Sequence, residues 1–160
     1  MKFRARLTKE SVLTIHSVSS TLQRIGSTAC IFLNEECIQI AVITESADMP
    51  KCYSVLDPKA LFPAEYRIES QSGNTILFEI GLLHLSKALE SGRNATDSQF
   101  KLVKRGMTPC LCYEAKDSDS LAVSRNLSSV IQFCCDFFSY NIYQFFKQTT
   151  SFFVSGEYCS

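Results

Sequence analysis

Two stretches of this chain, residues 9–25 and 82–92, space their apolar side chains three and four apart, and strand-like stretches flank both. In the first, Val12, Ile15, Val18, Leu22 and Ile25 form one stripe that stops at Gly26; in the second, Leu82, Leu85 and Leu89, with Ala88 beside them, stop at Gly92. Such spacing predicts amphipathic helices, because 3.6 residues per turn bring these positions onto one face. Ahead of the first helix, Phe3, Ala5 and Leu7 alternate with Lys2, Arg4 and Arg6, as a strand with one buried face requires, so residues 2–7 are a predicted strand. Residues 29–33 and 37–43 are apolar runs around Asn34-Glu35-Glu36 and read as a hairpin. An extended run over 51–56 ends at Asp57-Pro58.

Tyr66 and Ile68, then the turn Gln71-Ser72-Gly73-Asn74, then alternating Ile76, Phe78 and Ile80 predict a second hairpin ahead of the second helix. Beyond that helix, Phe100 and Leu102 face Leu111 and Tyr113 across the turn Gly106-Met107-Thr108-Pro109, and a weaker run over 121–127 adds an edge strand. The order nearly repeats itself. A β-α-β-β-β unit used twice gives an α+β domain with two helices on one face of antiparallel sheet, each burying its stripe there and leaving its other face free.

Length and charge exclude several classes. At 160 residues there is room for one domain. Sixteen basic and sixteen acidic side chains give no overall field toward nucleic acid or an anionic bilayer, so any basic surface is local. The start, Met1-Lys2-Phe3-Arg4-Ala5-Arg6, has no signal-peptide core, so the eight cysteines read as reduced thiols. With no CxxC and only His16 and His84 as histidines, they read as small buried hydrophobes rather than metal ligands. No nucleophile elbow, phosphate-binding glycine loop or zinc-protease helix occurs, and His16 and His84 read as helix-surface residues.

The chain changes character near its end. Residues 130–160 hold seven of the twelve Phe and three of the six Tyr but only three charges, Asp136, Lys147 and Glu157. The pairs Phe137-Phe138, Phe145-Phe146 and Phe152-Phe153 recur at eight and seven residues. Asp136, Asn141 and the glutamines argue against a membrane span. The division is therefore a domain over 1–127 and an aromatic-rich tail over 128–160.

Met1-Lys2-Phe3-Arg4-Ala5, Leu85-Ser86-Lys87-Ala88-Leu89, Phe100-Lys101-Leu102 and Pro109-Cys110-Leu111 closely resemble the hydroxyurea-sensitive subunit family of the checkpoint sliding clamp, the nine-one-one clamp related to proliferating cell nuclear antigen. The resemblance covers about residues 1–127. It implies a non-enzymatic subunit of a ring of three different subunits, placed on double-stranded DNA by a clamp loader in the nucleus. That ring serves checkpoint signalling and repair, and no cofactor, metal or membrane is involved. Helices of such clamps line the hole and sheets form the wall, so the DNA-facing candidates are Thr14, Ser17, Thr21 and Arg24 on the first helix and Lys87 and Arg93 on or beside the second. Neighbouring subunits join through edge strands, which makes Leu121, Val123 and Leu127 the interface candidates. A full-length member is about twice as long, so the resemblance implies a form reduced to its first domain. The alternative is a small binding module, unrelated to clamps, whose aromatic tail is the interface.

Overall fold

The computed structural model describes residues 1–42, 52–71, 73–105, 108–116, 126–132 and Phe146. In chain order these form β1 (Lys2–Leu7), α1 (Lys9–Leu22), β2 (Thr28–Leu33), β3 (Ile38–Val42), β4 (Cys52–Leu56), α2 (Pro58–Leu61), β5 (Glu65–Glu69), β6 (Ile76–Gly81), α3 (Leu82–Ser91), β7 (Asp97–Arg105), β8 (Thr108–Lys116) and β9 (Asn126–Gln132). The repeat is present: β1-α1-β2-β3-β4 and β6-α3-β7-β8-β9 are two β-α-β-β-β units, with α2 and β5 between them.

The strands make two antiparallel sheets, ordered β5-β1-β7-β8-β9 and β4-β3-β2-β6. Each unit places its first strand in one sheet and its last three in the other, so each long helix is a crossover between sheets. Exchanging the units maps β1-β7-β8-β9 onto β6-β2-β3-β4; β5 is the addition that breaks the symmetry.

Local chemistry accounts for most element ends. Thr8 caps α1 by accepting from the Ser11 backbone N–H at 3.1 Å, while Ser11 Oγ accepts from the Thr8 N–H at 3.3 Å. The helix ends at Leu22 rather than Ile25, and the Ile25 and Gly26 N–H groups close back onto the Leu22 carbonyl. Asn34 Oδ1 accepts from the Glu36 and Cys37 N–H groups and so turns the first hairpin. Asp57 caps the short α2, with Pro58 as its first residue, an element the sequence reading did not include.

One expectation fails. The turn at Gly73 (φ 65°) and Asn74 (φ 52°) has left-handed backbone, yet β5 and β6 do not form a hairpin. β5 pairs with β1, with Phe3 opposite Ile68, whereas β6 pairs with β2 in the other sheet, with Ile31 opposite Phe78. The turn reverses the chain, but burial selects the partner: Tyr66 packs edge-on to Phe3 at 5.8 Å and stacks on Phe62 at 5.6 Å. The last described strand, Asn126–Gln132, overlaps the expected strand over 121–127 at Asn126 and Leu127 and runs beyond it. Leu121 and Val123 lie outside the described residues, as does the turn at 106–107, while Thr108 and Pro109 are strand residues opposite Arg105 and Lys104.

The core lies between the sheets and under the helices. Val12, Ile15 and Leu22 of α1 and Leu82, Leu85, Ala88 and Leu89 of α3 join Phe3, Ile31, Ile40, Phe78, Phe100 and Tyr113 in one cluster. Each such large side chain contributes about 1.5 to 3 kcal/mol on leaving water. Of the five described cysteines, Cys30, Cys37, Cys110 and Cys112 are buried and Cys52 is half-buried.

Candidate functional site

The two long helices lie side by side. Ser20 Oγ is 3.4 Å from Ser86 Oγ, and His16 Nε2 is 3.1 Å from Glu90 Oε2. Going back four residues on α1 goes forward four on α3, so the helices are antiparallel. Hydroxyls at Ser20 and Ser86 let them approach closely, and the His16–Glu90 contact ties the pair one turn further on.

Their outward side carries the candidates. Thr14, Ser17, Thr21, Arg24, Lys87 and Arg93 are all exposed. The structure does not make them equivalent. Thr14 opens into a groove between α1 and α2, lined also by Thr8, Asp57, Leu61 and Pro63. The Thr21 hydroxyl donates to the Ser17 carbonyl at 2.9 Å, so its proton is already used within the helix. Arg24 follows the helix end and, like Lys87, has no carboxylate partner among the described residues. Arg93 follows α3, with Nη1 3.7 Å from Glu90 Oε1.

Glu90 is the residue the sequence reading missed. It faces His16 of the neighbouring helix and Arg93 of its own terminus, which reduces the net positive charge of this layer. Its three-residue spacing from Arg93 was the available signal. Across residues 9–25 and 82–93 there are four basic side chains, Lys9, Arg24, Lys87 and Arg93, against two carboxylates, Glu10 and Glu90. The surface is thus weakly cationic, rich in hydroxyls, and interrupted by exposed Leu13, Ile25 and Leu83. It suits diffuse attraction to a polyanion and offers no set of base-reading groups.

His84, at the start of α3, is exposed, and its Cδ2 would lie 3.0 Å from a Cβ placed on Gly81. No helix among the described residues is long and apolar enough to cross a membrane, and no cluster of three metal-ligating side chains occurs among them.

The sheets present different outer faces. On β5-β1-β7-β8-β9 it is charged: Lys2 contacts Glu69 at 3.1 Å, and Lys101 and Gln99 both donate to Glu114. The Lys101 hydrogen bond holds the Glu114 carboxyl below the usual carboxylate range against an opposing effect of burial. β9 ends this sheet, hydrogen-bonded to β8 with Leu127 opposite Ala115, and β4 ends the other. Of the interface candidates, Leu127 therefore lies in a terminal strand. Each terminal strand has one side unpaired among the described strands.

The sequence profile of a family described as Hus1-like protein matches residues 1–143. Checkpoint protein hus1 of Schizosaccharomyces pombe is 28% identical over 111 residues, 69% of this chain and 37% of that protein. The chain therefore spans little more than a third of the length of the curated relative it matches.

Proposed function

The chain belongs to the Hus1-like family, and from that premise we propose that it is a non-catalytic subunit of a checkpoint sliding clamp, acting in the DNA-damage response by assembly around DNA. In this reading it joins two other clamp subunits, a clamp loader places the ring on double-stranded DNA in the nucleus, and the ring recruits signalling and repair proteins. No cofactor or metal takes part.

The observation that carries the reading is the helix layer. Two antiparallel helices in contact expose hydroxyls and the cations Arg24, Lys87 and Arg93, and apart from the short α2 the other described elements are strands. A ring that encloses DNA is retained by topology and has no need of a tight grip. Weak, sequence-independent attraction to phosphates is what sliding requires, and a lining of a few cations such as Arg24 and Lys87, without carboxylate partners among the described residues, supplies it. Strands β9 and β4, each terminal in its own sheet among the described strands, support joining to neighbouring domains by strand pairing.

Co-expression with the two partner subunits tests this directly. The expected result is co-purification, followed by loader-dependent retention on nicked circular DNA that is lost when the circle is cut. The 160-residue chain alone is expected not to remain on circular DNA, because one domain cannot close a ring. Failure to bind either subunit, or salt-resistant retention of the chain alone, overturns the reading.

A further inference from the structure

Strands β2 and β3 are buried on both faces, unlike β1, which alternates strictly between exposed and buried positions. Ala29, Ile31 and Leu33 point into the main core, while Cys30, Phe32 and Ala41 point the other way and form a second cluster with Tyr53 and Leu77 at its margin. An antiparallel sheet with a wet outer face carries polar residues there. The outer face of the companion sheet does so.

Phe146 joins this second cluster. It is completely buried in that second cluster, although fourteen positions separate it from the end of β9. Its ring stacks on Phe32, with centroids 5.4 Å apart and planes 15° from parallel, and leans on Tyr53 at 6.3 Å and 40°. Phe32 and Tyr53 come from β2 and β4, and Ala41, which pairs with both Cys30 and Tyr53, is the small residue on the strand between them. Two aromatic walls with a methyl group between them make a recess matched to one further ring.

We propose that this recess is a docking socket for a single phenylalanine side chain, filled in cis by Phe146, and that the Phe146 ring thereby blocks the recess to aromatic-bearing peptides of other proteins. This rests on the packing of the sheet and not on the clamp reading. Covalent attachment gives the cis ring an effective concentration in the millimolar range, so a free peptide competes poorly until Phe146 is removed. The Cys30 thiol lies in the same cluster, and burial with the nearby Glu79 pushes its pKa up to about 12, so its exposure reports whether the socket is closed.

The test uses the full chain and a fluorescent peptide spanning residues 140–150, read by anisotropy, with Cys30 alkylation followed by mass spectrometry. The peptide is expected to bind the Phe146→Ala chain at least about tenfold more tightly than the wild type. A peptide carrying the same substitution does not bind. Cys30 alkylation rises in the variant and falls again when the wild-type peptide is added. Equal binding to both chains, binding to neither, or unchanged alkylation overturns the proposal. Should Phe146→Ala lose the folded state, Phe146→Leu keeps an apolar side chain without the aromatic stack; it is expected to label Cys30 faster than wild type, and an equal rate likewise overturns the proposal.

Discussion

Replacing Gly92 with alanine tests the packing at the end of α3. Gly92 follows Ser91 with φ −102° and ψ 11°, a conformation alanine adopts freely. Judged by backbone alone, the change would stabilise the protein by about 0.4 to 1 kcal/mol through the unfolded chain. The surroundings reverse that sign. A Cβ at this position would lie 2.2 Å from Tyr113 Oη, 2.7 Å from Cε1 and 2.8 Å from Cζ. The Tyr113 ring cannot readily yield, since it is fully buried and packed on Phe100 with centroids 5.2 Å apart. Forcing a methyl group into such a site costs about 1 to 3 kcal/mol or somewhat more. The net expectation is a loss of about 1 to 2 kcal/mol, which for a chain of this size lowers the melting temperature by about 2 to 8 °C. The assay is thermal and urea unfolding of Gly92→Ala, Tyr113→Phe and the double variant. Tyr113→Phe removes the nearest clashing atom but leaves the ring carbons, so rescue is partial, with a coupling of at least about 0.5 kcal/mol. A Gly92→Ala protein as stable as the wild type, or a double variant that is merely additive, refutes the reasoning.

Further predictions concern charge. The Glu114 carboxyl is held low chiefly by its hydrogen bond from Lys101, so this contact stabilises the fold above the ordinary carboxylate range and is lost as pH falls through the depressed folded value. Glu114→Gln is expected to flatten stability against pH in that acid window; an unchanged pH profile refutes it. In the assembled ring, replacing Arg24, Lys87 and Arg93 together by glutamine is expected to lower the slope of log affinity against log salt by about 1 to 2, short of the ~2.7 for three full phosphate contacts, because Glu90 already engages Arg93. No change in slope means these side chains do not face DNA. Tyr66 is pushed above its usual range by burial first, then by Cys37 and Glu35, and donates to the Asn34 carbonyl at 2.8 Å. Its contribution is complete below the ordinary tyrosine range and is lost as pH rises through the elevated folded value, so Tyr66→Phe is expected to reduce alkaline destabilisation in urea melts.

What could be read directly from residues was whatever depends on near neighbours. Period-two alternation at Phe3, Ala5 and Leu7, helical spacing at Leu82, Leu85 and Leu89, and the Asn34 turn each express a local geometry, and each is present in the fold. Partner choice is different in kind. Gly73 and Asn74 turn the chain, but whether the next strand returns beside the last depends on which sheet edge can bury Tyr66, and that edge belongs to β1, more than sixty residues earlier.

The candidate site divides the same way. Helical periodicity was enough to place Ser17, Lys87 and their neighbours on free faces, but the bond that joins those faces runs from His16 to Glu90 across two crossovers. The continuous apolar runs of β2 and β3 signalled strands; that their second face packs against a ring from position 146 is a long-range packing choice. Local sterics and periodicity act over a few residues and are written in the order of side chains. Burial is shared among segments distant along the chain, and only the assembled fold decides which of them share it.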